Sequence, residues 1–298
     1  MSDEAVEQVT EAFLVHRNLL FTVAYEVLGS ASDAEDVLQE TWLQWVRADR
    51  GQVRDPRAYL VRSTTRQALN RLRTIKRHRE AYVGPWLPEP LLTAPDVAED
   101  VELAESVSMA LMLVLETLSP TERAVFVLRE VFDVGYDEIA AAVDRSPAAV
   151  RQIAHRARRH VEARRPRRAV SSQEGRAALE SFRRAVETGD PQALLEVLAP
   201  GVVLISDGGG VKHAALRPVT GAERVSRMFA GGIGKVGGTI GVEPTVINGS
   251  PAFLVRLDGE IDGVMAVSVE DGRIAGLYYV RNPEKLSHVT STTPLTLR

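Results

Sequence analysis

Apolar residues recur every three or four positions through the first 165 residues, which is the period of an amphipathic helix. The first run, from Phe13 to Val27, predicts a helix that ends at Gly29-Ser30, and Ser32 or Asp33 can cap the next helix. Pro56 fits the first turn of a further helix. The buried stripe predicted for that helix consists of Tyr59, Leu60, Ser63, Ala68, Leu69, Leu72 and Ile75.

A proline-rich stretch that begins at Tyr82 interrupts this pattern and predicts an ordered or semi-ordered linker. A helix is expected over residues 101–118. Ser119-Pro120-Thr121-Glu122 then has the signature of a helix start, with serine as the N-cap, proline at the first helical position and glutamate completing a capping box.

Residues 136–161 have the spacing of a helix-turn-helix, because the helix DEIAAAV stops at Asp144-Arg145 and Ser146-Pro147 starts a longer one. An apolar face of the longer helix (Val150, Ile153, Ala154, Ala157 and Val161) can pack on Ile139, Ala140 and Val143 of the shorter one. Arginine can bridge guanine O6 and N7, glutamine can pair with adenine, and further arginines and the helix N-terminus suit phosphates. The DNA-contacting residues predicted on the opposite face are Ser146, Ala148, Arg151, Gln152, His155, Arg156, Arg158 and Arg159. A solvated basic helix face is the alternative.

Beyond Pro166 the pattern changes to strand-like runs separated by glycine-containing turns. Two helices are predicted near residues 174–188 and 191–198. They precede the strands VVLIS, TIGVEPTVI, AFLVRLD, GVMAVSVE and RIAGLYYV, with a short helix, GAERVSRMFA, after the first strand. Asn248-Gly249 and Asp271-Gly272 are hairpin signals.

Charge changes sign along the chain although the formal net charge is only −4. Acids outnumber bases in residues 1–50, residues 56–79 contain no acid but many arginines, and residues 81–121 contain no lysine or arginine. The basic stretch can track a nucleic-acid backbone, or it can be a solvated helix beside an acidic neighbour.

The sequence contains no cysteine, and its six histidines include no close metal-ligand pair. Disulfides and cysteine-based metal sites are therefore excluded, and we expect neither a metal nor a cofactor. The acidic N-terminus does not resemble a signal peptide, and no apolar run approaches the roughly 18 residues that span a bilayer. We therefore expect a cytoplasmic protein without membrane contact.

Several segments resemble one family. LLFTVAYEVLGSASDAEDVLQETWLQW at residues 19–45 resembles region 2 of the extracytoplasmic-function (ECF) RNA polymerase sigma factors, and residues 118–165 resemble their region 4. Three further motifs resemble those of the subgroup with a fused SnoaL-like C-terminal domain. They are WLPEP (Trp86, Leu87, Pro88, Glu89 and Pro90), DGGGVK (with Asp207, Gly208, Gly209, Gly210 and Lys212) and NPEKL (Asn282, Pro283, Glu284, Lys285 and Leu286). Glu284 stands where Asp is usual, and Asn70 stands where many relatives have Asp.

The resemblance implies a multidomain fold, with two all-α modules at residues 1–80 and 108–168, an acidic linker at 81–107 and a cone-shaped α+β domain at 171–298. It implies a sigma factor that recruits RNA polymerase core enzyme to promoter DNA and is tuned by its own last domain. The helix-turn-helix would bind the −35 element. The implied −10 contacts are Arg62, Arg66, Asn70, Arg73, Lys76 and Arg77, and the implied polymerase contacts are Asp33, Glu35, Asp36, Gln39, Glu40 and Trp42.

Three roles are open for the last domain: catalysis, ligand sensing, or contact with the rest of the chain or with polymerase. Its polar candidates are Asp207, Lys212, His213, Asp262, Tyr278 and Tyr279. Contact is favoured over catalysis, because an Asp before three glycines usually caps backbone N–H groups of a turn. A free-standing helix-turn-helix regulator with a ligand-sensing domain and a SnoaL-like enzyme with a DNA-binding arm are the alternatives to a non-enzymatic sigma factor.

Overall fold

The structure is a computed structural model and describes residues 3–49, 51, 53–79, 81–94, 97, 100–164, 172–233 and 239–297. These residues fall into two compact units. The first combines the described parts of 1–80, 114–164 and 294–298, and the second combines those of 81–113 and 165–293. The module boundary expected near residues 168–171 lies outside the described residues.

Four helices open the first unit: α1 (Asp3–Leu14), α2 (Arg17–Leu28), α3 (Ala31–Arg47) and α4 (Pro56–Arg79). The run from Phe13 to Val27 is therefore two helices rather than one. Gly29 ends α2 in the left-handed conformation, as predicted, at φ 69°. The predicted cap of α3 was wrong: Ser30 is the N-cap, because its extended backbone lets its hydroxyl accept the Asp33 N–H.

The helix expected over residues 101–118 is two helices, α5 (Val101–Val107) and α6 (Met109–Glu116). The break falls at Ser108, whose backbone is extended and whose Oγ accepts the Leu111 N–H at 3.3 Å. A serine that caps the following turn competes with continuation of a helix through it. The predicted capping box at Ser119 and Glu122 is confirmed at the start of α7 (Pro120–Phe126), which a π-helical turn follows at Val127–Val131.

The predicted helix-turn-helix is present as α8 (Tyr136–Val143) and α9 (Pro147–Glu162). Asp144 makes the turn with a left-handed backbone at φ 55°, and the Ser146 hydroxyl caps α9 by accepting the Ala149 N–H at 3.2 Å. The residues predicted to pack between the two helices are buried, except that Ile153 is only half-buried.

The second unit has the predicted α+β order. The helices α10 (Ser172–Thr188) and α11 (Pro191–Val197) lead into β1 (Leu198–Asp207) and β2 (Val219–Thr220). The helix α12 (Ala222–Ile233) then precedes β3 (Ile240–Ile247), β4 (Ser250–Leu257), β5 (Glu260–Glu270) and β6 (Arg273–Val280). The sheet order is β2-β1-β6-β5-β4-β3, and only the β1–β6 pair is parallel. Sequence inspection missed β2, because two residues cannot show an alternation.

The sheet buries both of its faces. Along β5, Met265 and Val267 belong to a core that faces the helices of the second unit, whereas Val264 and Ala266 belong to a core on the other face. That second core includes Leu87 of the linker. The linker is therefore a structural layer of the second unit.

No helix in the described part of the chain is long and apolar enough to cross a membrane.

Candidate nucleic-acid interface and linker clamp

The recognition helix α9 presents its predicted DNA-contacting residues to solvent. Ala148, Arg151, Gln152 and His155 are exposed, while Val150, Ala154, Ala157 and Val161 on the opposite side are buried. The Arg151 guanidinium lies 5.6 Å from the centre of the Tyr136 ring of α8. This contact orients the Arg151 side chain. The small side chain of Ala148 on the same surface permits close approach of a DNA groove.

Two of the other arginines on α9 form ion pairs within the first unit. Arg158 makes a bidentate pair with Glu130, with N–O distances of 2.8 and 2.7 Å. Arg156 lies 3.9 Å from Glu122. Arg159 is exposed. Neutralisation by glutamate lowers the attraction of Arg158 for a phosphate relative to that of an unpaired arginine.

Four of the six predicted −10 residues form an exposed stripe on α4, and the other two are Lys76 and Arg77. The stripe of Arg62, Arg66, Asn70 and Arg73 is exposed along one side of α4, at spacings of four, four and three residues. Lys76 is half-buried and donates to the Leu118 carbonyl at 2.7 Å. The Arg77 side chain lies outside the described residues.

The stripe on α4 borders the helix-turn-helix within the first unit. The Arg66 Nη2 donates to the Ala141 carbonyl of α8 at 3.1 Å. Asn70 and Arg73, together with Asp144 and Arg145 of the turn, line a cleft of about 520 Å³. Residues expected to bind the −10 element therefore lie against the first helix and the turn of the helix-turn-helix.

A buried ionic cluster joins α4 to the helices of the second module. Glu116 accepts hydrogen bonds from both Arg79 and Arg123, and Arg123 is 1% exposed. Arg123 also donates to the Glu26 carbonyl, and Arg79 to the Leu28 carbonyl. Burial of Glu116 opposes its ionisation, but the two arginines outweigh burial and lower its pKa.

The predicted polymerase-binding residues of α3 divide into paired and exposed groups. Arg71 binds Asp33 and Asp36, each at 2.7 Å, and Arg17 binds Glu35 at 2.8 Å. The half-buried Trp42 packs edge-on against Phe13, with ring centres 5.2 Å apart. Gln39 and Glu40 are exposed, and Asp36 is exposed as well as paired.

Leu43 extends this exposed surface of α3 and was missed by sequence inspection. Its side chain is 49% exposed, and it follows Gln39 and Glu40 by one helical turn. The signal in the sequence was a leucine on the polar face of an acidic helix.

Asp207 is the centre of a buried polar cluster that holds the linker. It is 0% exposed and follows β1 into the DGGGVK loop. Its Oδ1 accepts the Tyr82 hydroxyl at 2.6 Å and the Gly209 N–H at 3.0 Å. Its Oδ2 accepts the Leu87 N–H at 2.9 Å and the Lys285 ammonium at 2.7 Å. The expected role of Asp207 as a turn cap is present, and the same carboxylate also binds the linker.

Lys285 completes this cluster from the NPEKL motif. Besides Asp207, its ammonium donates to the Leu87 carbonyl at 2.6 Å and lies 4.1 Å from the Trp86 ring centre and 4.9 Å from that of Tyr82. Asn282 donates to the Tyr82 hydroxyl at 2.9 Å. We call Asp207, Asn282 and Lys285, with the linker residues Tyr82 and Leu87, the linker clamp.

The other residues of the three motifs surround the clamp. Leu87, Pro88, Glu89 and Pro90 are buried, whereas Pro283 and Glu284 are exposed and Leu286 packs against the core that contains Leu87. A Cβ on Gly209, at φ 63°, would lie 2.5 Å from the Asn282 side chain, and one on Gly208 would lie 2.1 Å from the Lys212 carbonyl oxygen. The close packing of the loop thus requires glycine at both positions. Gly210 is exposed.

A second attachment of the linker lies at the Asn248-Gly249 turn. The Asn248 Oδ1 accepts the Leu91 N–H at 2.9 Å, and its Nδ2 donates to the Val107 carbonyl at 2.9 Å. A Cβ on Gly249 would lie 2.5 Å from the Cα of Ala104 in α5. Sequence inspection found the hairpin turn but missed these contacts, since the sequence gives no sign of what packs on a turn.

The polar candidates of the last domain lie on different sides of the sheet. Asp262, Tyr279 and His213 border a partly open cavity, and Lys212 binds Asp262 at 2.9 Å. Tyr278, adjacent to Tyr279 in β6, packs with the core on the linker face. Within the described residues, no group of three or more His, Cys, Asp or Glu is arranged to hold a metal ion.

Comparison with known proteins agrees with the two helical modules. The family model described as Sigma-70 region 2 matches residues 13–78, and the one described as Sigma-70, region 4 matches residues 108–161. These ranges contain all but the last residue of α4 and of the helix-turn-helix, respectively.

Whole-chain relatives include the last domain as well. The chain is 36% identical to the ECF RNA polymerase sigma factor SigJ of Mycobacterium tuberculosis, over 91% of this chain and 91% of that protein. It is 31% identical to the probable ECF RNA polymerase sigma factor SigI of the same organism, over 94% of this chain and 95% of that protein. The crystal structure of M. tuberculosis SigJ matches with a TM-score of 0.76 and 31% identity, covering 96% of this chain and 100% of that chain.

Because the likeness extends through region 2, region 4 and the fused SnoaL-like α+β domain without a large unmatched segment, this chain belongs to the ECF RNA polymerase sigma factors.

Proposed function

We propose that this chain directs RNA polymerase core enzyme to promoters in the cytoplasm and that its last domain restrains it by holding the linker between the two DNA-binding modules. In this proposal α9 binds the −35 element, the stripe on α4 binds the −10 element, and the exposed side of α3 binds polymerase. The observation that carries the proposal is the linker clamp, in which one buried carboxylate binds both the linker backbone and a lysine of the last domain.

The restraint follows from the geometry of a tether. Two weak DNA-binding surfaces gain affinity from each other only when their linker can span the distance between their sites. A linker whose Leu87 and Leu91 are fully buried and hydrogen-bonded cannot extend. Release of the linker would restore its reach, and the population of released molecules would set promoter activity.

The contacts between α4 and α8 support a closed state that must open. Arg66 and Lys76, both proposed to bind DNA, donate instead to carbonyl groups of the second module. The stripe is exposed, but a −10 strand that uses both cations must replace their bonds to α8 and Leu118. Full use of the −10 residues therefore requires separation of the two modules.

The last domain acts in this proposal by binding rather than by catalysis. Asp262 is the carboxylate that borders its cavity, and its two oxygens accept from Lys212, Tyr279 and Arg281. Burial disfavours its ionised form, but the hydrogen bonds from Arg281, Lys212 and Tyr279 outweigh burial and lower its pKa to about 2. A carboxylate so engaged is a weak base and is unsuited to general acid–base chemistry near neutral pH.

Run-off transcription with purified core polymerase tests the proposal. Asp207→Asn weakens the clamp from the domain side and Tyr82→Phe weakens it from the linker side, since each loses a contact to the other partner. We expect both variants to give more promoter-dependent transcript than the unsubstituted chain, and Glu284→Gln, which changes an exposed neighbour of Lys285, to give the same amount. A yield from both clamp variants that is equal to or below that of the unsubstituted chain refutes the restraint, and failure of the chain to bind core polymerase refutes the whole proposal.

A further inference from the structure

The second unit contains a partly open cavity that the linker clamp does not use. Its volume is about 410 Å³, which falls within the usual range for sites of small organic ligands. Apolar side chains from both helices and strands form most of its wall, and these include Phe182, Phe229, Val242, Phe253 and Val255. Such a wall favours an apolar occupant of limited size.

One end of the cavity is polar and carries excess positive charge. Arg281 and Lys212 both bind the single carboxylate of Asp262, so this cluster has a formal charge of +1. Arg256 also borders the cavity, and Glu243 pairs with it at 2.9 Å. The Tyr279 hydroxyl donates to Asp262 at 2.7 Å, so its proton is not available to an incoming group.

We propose that this cavity binds a small apolar molecule with one carboxylate group, and that the carboxylate is held by Arg281 at the polar end. Arg281 uses three N–H directions, two on Asp262 and one on the His213 carbonyl. A guanidinium has five N–H groups, so two remain for a ligand. An anionic head group compensates the excess charge, and an apolar tail fills the space between Phe182 and Phe253.

The polar end of the cavity and the linker clamp lie on the same two chain segments. Arg281 of the cavity precedes Asn282 of the clamp, and the N–H groups of both residues donate to the Asp207 carbonyl at 2.7 and 3.0 Å. Lys212 ends the loop that begins at Asp207, and its N–H closes that loop on the Gly208 carbonyl at 2.9 Å. A ligand that binds only the assembled cavity stabilises these segments and therefore strengthens the clamp. The regulatory consequence rests on the proposed function, whereas the binding does not.

Calorimetric titration of the full chain with decanoate and 1-decanol, both below their aggregation concentrations, tests the head group. We expect decanoate to bind at least about tenfold more tightly, which is about 1.4 kcal/mol. Arg281→Gln should reduce its affinity to that of the alcohol. Equal affinities in the unsubstituted chain, or binding of neither probe, overturn the proposal.

A second set of variants locates the site. Val255→Phe places a larger side chain in the cavity and should abolish binding of decanoate, whereas Val255→Ile, which adds one carbon at the same position, should retain it. Circular dichroism establishes that each variant is folded. A folded Val255→Phe variant that binds decanoate as the unsubstituted chain does overturns the assignment to this cavity.

Hydrogen exchange at the Leu87 amide tests the coupling. Saturating decanoate should slow its exchange in the unsubstituted chain and leave it unchanged in Val255→Phe, and an unchanged or faster rate in the unsubstituted chain overturns the coupling. The two proposals fail separately. If Asp207→Asn leaves transcription unchanged while decanoate binds and slows exchange, the restraint fails and the ligand site stands; if decanoate does not bind while Asp207→Asn raises transcription, only the ligand site fails.

Discussion

Removal of the charge on Asp207 should cost the second unit about 3 kcal/mol of unfolding free energy. Asp207 and Lys285 lie 2.7 Å apart, with side chains that are 0% and 8% exposed. Loss of one partner from such a buried pair leaves an uncompensated charge and costs about 3–5 kcal/mol. In Asp207→Asn the Lys285 ammonium still donates to the Leu87 carbonyl and still lies against the Tyr82 and Trp86 rings. These remaining contacts place the cost at the lower end of that range.

The companion variant is Asp207→Asn combined with Lys285→Met. Methionine keeps the apolar stem and removes the stranded ammonium, so the double variant should be at least about 1 kcal/mol more stable than Asp207→Asn alone. Urea unfolding gives the free energies, and hydrogen exchange at the Leu87 amide reports whether the linker is the part released. Glu284→Gln removes an exposed charge beside Lys285 and should change stability by less than about 0.5 kcal/mol.

Two results would refute this reasoning. Lys285→Met can be compared in the unsubstituted chain and in Asp207→Asn. If it lowers stability equally in both, the two side chains do not act as a pair. If Asp207→Asn is destabilised but the Leu87 amide exchanges at the original rate, the carboxylate supports the domain without holding the linker.

Three further predictions concern other parts of the chain. Gly249→Ala should cost at least about 1 kcal/mol more in thermal unfolding than Gly259→Ala, because both glycines have positive φ but only the first would bring a Cβ against α5; equal costs would contradict the packing of α5 on this turn. The folded-state pKa of Glu116 is lowered, so its contribution to stability is present above its unfolded pKa of about 4.3 and is lost as pH falls through the lower folded value. Urea unfolding between pH 3 and 7 should therefore show a smaller loss toward acid in Glu116→Gln, and an identical pH dependence would exclude the effect. Arg151→Ala should weaken binding to a −35 duplex by about 1–3 kcal/mol and relax base preference, whereas Arg158→Ala, which removes an arginine already paired with a glutamate, should cost less; a fluorescence anisotropy titration that reverses this order would refute the assignment.

The parts of the fold that the sequence predicted are those set by neighbouring residues. The capping box at Ser119 and the start of α9 at Ser146 depend on side chains that bond within three positions, and the turn at Asp144 is a single left-handed residue, so a local pattern specifies each of them. The run GVMAVSVE likewise predicted the strand β5. The break at Ser108 could have been found in the same way, because serine commonly caps helices.

Contacts between distant segments could not be predicted from such patterns. The linker was recognised as a proline-rich segment, but its place in the core of the second unit depends on Leu87 meeting strands that lie about 160 to 190 positions later. Asn248 was assigned to a hairpin turn, and its bonds to Leu91 and Val107 were not foreseen. Arg123 was not singled out in the sequence and is buried on Glu116. In each case the partner is fixed by tertiary packing, which a single sequence does not display.

Under the proposed roles, promoter DNA competes with the contacts that hold α4 against the second module. Arg66 and Lys76 donate to the neutral carbonyl groups of Ala141 and Leu118. A phosphate offers the same cations a full negative charge as well as acceptor oxygens, so its attraction for them is stronger than that of a neutral carbonyl. Under the proposed roles, DNA that reaches α4 therefore gains the bonds that α8 and Leu118 lose, and opening costs less with promoter than without it. A restraint made of such contacts holds the modules together in the absence of a promoter and yields when one is bound.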